Sequence, residues 1–256
     1  MRILVTGGAG FIGSHLCSEL NKDSDNEIIS LDNYSTGSTE NHVPGVDYIR
    51  GNTQSIDKYI KKKPDIVYHL GEYSRVEQSF DDLDLIRESN LSGTFSTVQF
   101  CLKNNCRLVY AGSSTKFGDG GKGRSQSPYG WSKALNTDLV NNCGSWFGLN
   151  YAIVYFYNAY GPREIRHGKY ATVIAKFAEH MRLGENLPVN SPGTQVRNFT
   201  HVEDIVSGLI LVGQLGHGDG YGIGGDKSYS INEIAELFGG NISMHPARSG
   251  NRADAE

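Results

Sequence analysis

The sequence predicts a doubly wound parallel α/β fold, and three observations carry that prediction. Short stretches rich in Val, Ile and Leu recur at 2–6, 27–32, 47–50, 65–70, 107–112 and 151–157. Helical patterns fill the gaps near 12–21, 54–62, 81–103 and 128–147. The first apolar stretch also breaks on Gly7, Gly10 and Gly13 straight into a helix pattern in which Ile12, Leu16 and Leu20 recur every fourth residue. Strands apolar on both faces are buried on both faces, and helices between them act as crossovers, which is the logic of a parallel sheet covered on each side. With 256 residues and 38% hydrophobic content, the chain can bury a full core.

Composition excludes several function classes. The net charge is −4 with mixed signs, so there is no basic footprint for nucleic acid or anionic membrane. The one basic run, Lys61-Lys62-Lys63, precedes Pro64 at the end of a helical pattern and reads as a solvated helix C-terminus. Cys17, Cys101, Cys106 and Cys143 form no metal-type pair, so the expectation is reduced thiols and no metal. No signal-peptide pattern and no apolar run long enough to span a bilayer is present, and the expected location is cytoplasmic.

The first strand and its glycines point to a phosphate. A strand that breaks into a helix gathers unpaired backbone N–H groups and the positive end of the helix dipole at one place, which suits a pyrophosphate. Gly7 permits the tight turn, Gly10 lets the phosphates approach, and Gly13 lets helix and strand pack closely. The strand 27–32 ends in Asp32, about twenty residues on, where an acidic side chain accepts hydrogen bonds from the adenosine ribose. No Arg or Lys occurs between Asn33 and Ser38 to hold a 2′-phosphate, so the predicted cofactor is NAD rather than NADP.

Two later helix starts are expected from capping boxes at Thr200-His-Val-Glu203 and Ser230-Ile-Asn-Glu233. Residues 184–198 read as a loop between a helix at 170–183 and a strand near 198–201, and 221–223 as a short strand. The expected division is an NAD-binding domain of residues 1–160 plus about 196–225, with a small, discontinuous substrate lobe from about 161–195 plus 226–256.

The chemistry concentrates at Ser127-Pro-Tyr-Gly-Trp-Ser-Lys133. Ser127 suits an N-cap and Pro128 the first helical position, so Tyr129 and Lys133 fall on one face of the first turns. An ammonium beside a phenol lowers its pKa, as does a nicotinamide cation, which equips Tyr129 as a general base while hydride leaves the same carbon. The strand 107–112 leads into Ser113 and Ser114 at the C-terminal edge of the sheet, where doubly wound folds bind ligands.

Gly7-x-x-Gly10-x-x-Gly13, Asp32, Ser113 and the Tyr129/Lys133 pair together resemble the extended short-chain dehydrogenase/reductase family of nucleotide-sugar epimerases and dehydratases, UDP-glucose 4-epimerase-like members among them. The resemblance runs over nearly the whole chain. It includes His69-Leu-Gly, Asn90-Leu-Ser-Gly-Thr94, Phe156-Tyr-Asn-Ala-Tyr-Gly-Pro-Arg163 and Arg197-Asn-Phe-Thr-His-Val-Glu-Asp204. It implies Ser113, Tyr129 and Lys133 as catalytic residues, with Lys133 also holding the nicotinamide ribose. Phe11, Ile12, Asp32, Asn33 and Leu70 would line the NAD site, and Asn52 would stand where an Asp meets the adenine. Arg75, Ser113, Asn158, Arg197 and Arg252 would contact a nucleotide-sugar substrate. The resemblance further implies a homodimer in which helices 81–103 and 128–147 of two subunits pair, presenting Leu85, Phe95, Trp131, Leu135 and Leu139.

Dehydratases of the family resemble one another in an Asp-Glu pair directly after the catalytic hydroxyl. Here those positions are Ser114 and Thr115, which cannot move protons near neutral pH. The expected reaction is therefore 4-epimerisation of a UDP-hexose through a transient 4-keto sugar, with decarboxylation of a sugar acid as the alternative. Glu72-Tyr-Ser-Arg75-Val-Glu77 departs from the family by placing three charges in a loop that usually faces nicotinamide and sugar. Arg75 would bind a substrate carboxylate or phosphate, or pair internally with Glu72 or Glu77. Phe117 stands where Tyr is frequent, Tyr155 where Arg is, and the loop 119–126 is short and glycine-rich. The sequence stops at Glu256, earlier than such relatives, which implies a truncated or a minimal substrate lobe and keeps a non-catalytic NAD-binding regulator as a reading of another class.

Overall fold

The computed structural model describes residues 1–117 and 120–247. The chain runs β1 (Arg2–Thr6), α1 (Phe11–Leu20), β2 (Glu27–Asp32), β3 (Asp47–Arg50), α2 (Ile56–Tyr59), β4 (Ile66–His69) and α3 (Leu83–Leu85). A π-helical stretch, Ile86–Ser92, carries α3 into α4 (Gly93–Asn104), followed by β5 (Arg107–Ala111), α5 (Pro128–Phe147), β6 (Tyr151–Phe156) and β7 (Ala159–Tyr160). Then come α6 (Val173–Leu183), β8 (Leu187–Asn190), β9 (Val196–Asn198), β10 (Thr200–His201) and α7 (Val202–Leu215). The described chain closes with β11 (Gly218–Ile223), β12 (Ser228–Ser230), α8 (Ile231–Phe238) and β13 (Ile242–His245).

Seven strands form one parallel sheet in the order β11-β6-β5-β4-β1-β2-β3, a Rossmann arrangement. Alternate side chains build two cores. Leu4, Leu31, Val67, Leu108 and Ile153 face Val98 and Val140 on one side, and Ile3, Val5, Ile28, Val109 and Val154 face Leu16, Ile205 and Leu209 on the other. Strand order reverses between β1 and β4, so a crevice opens at their C-terminal ends.

Residues 184–198 are not a plain loop: they contain β8 and β9. Their partners, β13 (parallel) and β12 (antiparallel), lie far along the chain and leave no local signal. The strand anticipated at 221–223 begins at Gly218 and closes one edge of the main sheet against β6. The helix anticipated at 54–62 shrinks to a turn plus α2, which ends at Tyr59 with extended backbone at Ile60. The capping box at Ser230 forms, with Ser230 N donating to Glu233 (2.7 Å) and Glu233 N to Ser230 Oγ (3.2 Å). The one at Thr200 does not. Thr200 is drawn into β10 beside Ala159, and the Nδ1 of His201 accepts from Glu203 N instead. A third apolar cluster, of Phe177, Leu187, Val189, Ile231, Ile234 and Ala235, stands apart from the sheet, and we assign it to a small lobe over the crevice.

Candidate active site

A cavity of about 510 Å³ occupies the crevice, bounded by β1, β2, β4, β5 and α5 together with the segments after β6 and β9. At its floor the glycines are sterically required. Gly7 has φ +74°, and a Cβ on Gly13 would sit 2.1 Å from Gly7 O. Helix α1 starts at Gly10 with no side-chain cap, which leaves its first-turn N–H groups for an anion. Asp32 is buried beside them. Its carboxylate accepts from Ala9 N (2.9 Å) and Tyr34 N (2.8 Å), and burial holds its pKa above the ordinary value. Phe11, Ile12, Asn33 and Leu70 also line the cavity. These residues fit the pyrophosphate and adenosine of NAD. Asn52 is not among the lining residues: β3 ends at Arg50, and Asn52 is exposed on the turn that follows, while its neighbours Gly51 and Thr53 line the site.

Ser127 caps α5 through Gly130 N (3.0 Å), with Pro128 at the first helical position. That start aims Tyr129 at the end of β5, where its hydroxyl donates to Ser113 Oγ at 3.2 Å. Ser113 also accepts from Thr115 Oγ1 at 2.8 Å. Lys133, one turn further on, donates to Ala111 O and to the carboxylate of Glu72, and lies over the Tyr110 ring.

Glu72 is the site residue whose role the sequence did not disclose. Its side chain and that of Lys133 are 4% and 5% exposed, so this ion pair is desolvated. Thr94 Oγ1 (2.8 Å), Asn136 Nδ2 (2.8 Å) and the Tyr110 hydroxyl (3.3 Å) also donate to Glu72, so the buried carboxylate is satisfied on every side. Asn136 follows Lys133 by three residues on the same helix face, a spacing that could have marked it. Behind them, Thr6 Oγ1 meets His69 Nδ1 at 2.7 Å, and His69 Nε2 meets Thr94 Oγ1 at 3.0 Å. Thr94 donates onward to Glu72, so the proton of a neutral imidazole sits on Nε2. Burial pushes His69 down to about 4.

Arg75 does not pair with Glu72. Its Nε donates to Tyr170 O (2.9 Å) and its Nη1 to Ser74 O and Ser74 Oγ (3.1 Å each). Asn158 and the buried Arg197 line the same cavity, with Asn158 Nδ2 on Asn198 O at 2.8 Å. Glu164, which the sequence did not single out, lines it too and accepts from Gly161 N at 3.0 Å, and burial raises its pKa. Arg252 lies outside the described residues. Among the described residues no group of His, Cys, Asp and Glu could hold a metal, and no helix is long and apolar enough to cross a membrane.

The sequence model of the NAD dependent epimerase/dehydratase family matches residues 3–224. The chain belongs to that family. It is 31% identical to a UDP-N-acetyl-alpha-D-glucosaminuronate decarboxylase of Bacillus cytotoxicus, over 92% of this chain and 78% of that protein. It is 28% identical to a putative UDP-glucose 4-epimerase of Methanocaldococcus jannaschii, over 92% and 81%. The solved UDP-glucose 4-epimerase of Thermus thermophilus, in complex with NAD, superposes with a TM-score of 0.88 at 28% identity, covering 99% of this chain and 89% of that one. Family membership makes this an NAD-dependent fold acting on nucleotide sugars, by epimerisation, dehydration or decarboxylation.

Two expected outcomes follow from the buried network. Glu72→Gln leaves Lys133 buried without a counter-ion and should cost roughly 3–5 kcal/mol in urea denaturation, whereas the double variant Glu72→Gln/Lys133→Met, which keeps an acceptor for the neighbouring donors and removes the orphaned charge, should cost clearly less. For His69, the unfolded chain takes up a proton near pH 6.5 while the folded chain resists until about pH 4. Its contribution is therefore fully present above pH 6.5 and is lost as pH falls toward 4, a drop of about 3 kcal/mol that denaturation curves across this range would register.

Proposed function

We propose that this chain is an NAD-dependent 4-epimerase of a nucleotide sugar, a UDP-hexose, working through a transient 4-keto sugar. The observation that carries the reading is the Tyr129–Ser113 hydrogen bond at the cavity wall, with Lys133 a turn behind and only Ser114 and Thr115 following the hydroxyl. With its own proton lost beforehand, Tyr129 takes as phenolate the proton of the sugar 4-hydroxyl, and Ser113 shares that hydrogen bond and orients it. Bound NAD supplies the acceptor, and later the donor, of the C4 hydride. Lys133 has three N–H donors, two of them engaged by Glu72 and Ala111, which leaves one for a ribose hydroxyl. Asn158 and Arg197 hold the diphosphate, Arg197 by a charge-assisted contact. Once C4 is a ketone, the sugar would turn over in the cavity, and Tyr129 would give its proton back to the C4 oxygen as the hydroxyl is restored on the other face.

Epimerisation requires no further acid, and the turn that begins at Ser114 offers none. Decarboxylation of a sugar acid is the second reading. It is favoured by Arg75 in the cavity and by the decarboxylase among the relatives. It shares the 4-keto step, since a β-keto acid loses CO₂ readily.

Incubation with UDP-glucose, UDP-N-acetylglucosamine and their uronic acids, followed by NMR of the anomeric protons, tests the reading. A galacto-type product without added NAD supports it, and a pentose product favours decarboxylation. Tyr129→Phe should retain NAD and lose turnover by roughly 10²–10⁴-fold, and Ser113→Ala should lose far more than Ser114→Ala. Persistent activity in Tyr129→Phe would sink the assignment of the base.

We also propose a homodimer through α4 and α5. Phe95, Trp131 and Leu135 are about half exposed, at 50%, 49% and 43%, and Leu85 on α3 is exposed as well, whereas Leu139 packs against the monomer core. Light scattering at micromolar concentration should return twice the mass of the chain, and a monomer there would refute the pairing.

A further inference from the structure

Four cations line the cavity: Arg75, Lys133, Lys169 and Arg197. Lys133 is neutralised by Glu72 and Lys169 by Asp82 at 3.1 Å. Arg197 is the residue assigned above to the diphosphate. Arg75 stands differently. Its Nε and both Nη1 protons are spent on Tyr170 O, Ser74 O and Ser74 Oγ, which lock the guanidinium in place, and none of these acceptors carries a charge. The two protons of Nη2 find no acceptor among the described residues. No carboxylate there comes within ion-pairing distance either: Glu72 is taken by Lys133, and Glu164 acts only at longer range. Glu164 is moreover engaged by Gly161 N and Thr172 Oγ1.

Arg75 is half-buried on the cavity wall, and a guanidinium fixed there with two protons to spare and no counter-ion is a ready partner for a ligand anion. Its place says which part of the ligand. Arg75 lines the cavity together with Tyr129, on the loop after β4 whose Glu72 pairs with Lys133 one turn from that base, rather than at the glycine floor. Sugar hydroxyls need no cation, whereas a carboxylate on the same ring would reach one. We propose that the sugar of the substrate carries a carboxylate, making it a nucleotide hexuronate, and that Arg75 is the residue that binds it. The inference rests on the nucleotide-sugar reading and narrows it. It holds for either outcome at C4. Epimerisation returns the carboxylate unchanged. Decarboxylation breaks the C5–C6 bond, releases CO₂ and leaves the electron pair in an enolate that is protonated at C5.

Calorimetric titration of the NAD-loaded protein with UDP, UDP-glucose and UDP-glucuronate decides the matter, for the wild type, Arg75→Gln and Arg75→Lys. The wild type should bind UDP-glucuronate roughly 10–100-fold more tightly than UDP-glucose, the range expected of a hydrogen bond to a charged group. Arg75→Gln should erase that preference while binding UDP and UDP-glucose as the wild type does, and Arg75→Lys should restore part of it. Equal wild-type affinities for the two sugars would overturn the inference and leave the nucleotide-sugar reading standing. Weakened binding of UDP itself by Arg75→Gln would also overturn it, by placing Arg75 on the diphosphate. A wild type that binds none of the three would overturn both readings.

Discussion

The buried pair of Lys133 and Glu72 is the constraint on which the rest of the site depends. Lys133 belongs to α5 and Glu72 to the segment after β4, and Lys133 also reaches the carbonyl of Ala111 at the end of β5. Three elements are thereby tied at one point on the C-terminal edge of the sheet. Once the helix is anchored there, its first turn has a single orientation, and Tyr129 faces Ser113. The four donors around the Glu72 carboxylate are what make so desolvated an ion pair tolerable, because the attraction of two buried charges alone does not offset their dehydration.

The same pair distributes charge through the cavity. A lysine neutralised by its own carboxylate exerts little net field beyond that contact. Arg75, held by neutral acceptors on Ser74 and Tyr170, is the guanidinium that the proposed reading directs at a ligand's sugar. At the opposite end, among the described residues, the floor offers glycine backbone and the uncapped start of α1, which suit phosphates, and the carboxylate of Asp32, which suits a ribose. The cavity is thus polarised, with backbone dipoles and a carboxylate at the dinucleotide end and guanidinium groups toward the substrate.

Membership of the NAD dependent epimerase/dehydratase family accounts for the scaffold and the cofactor, and within the family the reaction is a matter of a few side chains. The turn after Ser113 and the loop after His69 carry such side chains here. The first carries Ser114 and Thr115, which hydrogen-bond but do not exchange protons near neutral pH. The second carries Glu72 and Arg75, three residues apart in sequence yet differently engaged, one in a buried ion pair with Lys133 and one on neutral acceptors at the cavity wall.

Much was legible in the sequence because it rests on local rules. Six strands of the sheet, the glycine turn and the start of α5 at Ser127-Pro128 each follow from periodicity or capping within a few residues. The site's main members were legible for the same reason, since Tyr129 and Lys133 share one helix face by spacing alone. What tertiary structure decided involves partners far apart in the chain. Strands β8 and β9 exist because β13 and β12 arrive to pair with them, and Thr200 leaves its capping box because β7 offers a strand partner. The sequence offered Glu72 and Glu77 as internal partners for Arg75 and assigned Lys133 to Tyr129 and the ribose. Folding paired Glu72 with Lys133, sixty-one residues away, because burial beside Thr94, Asn136 and Tyr110 completes the carboxylate's hydrogen bonds, which the exposed side of the loop cannot do. Local sequence determined which elements form and which groups are available; only the packed sheet decided which charges meet.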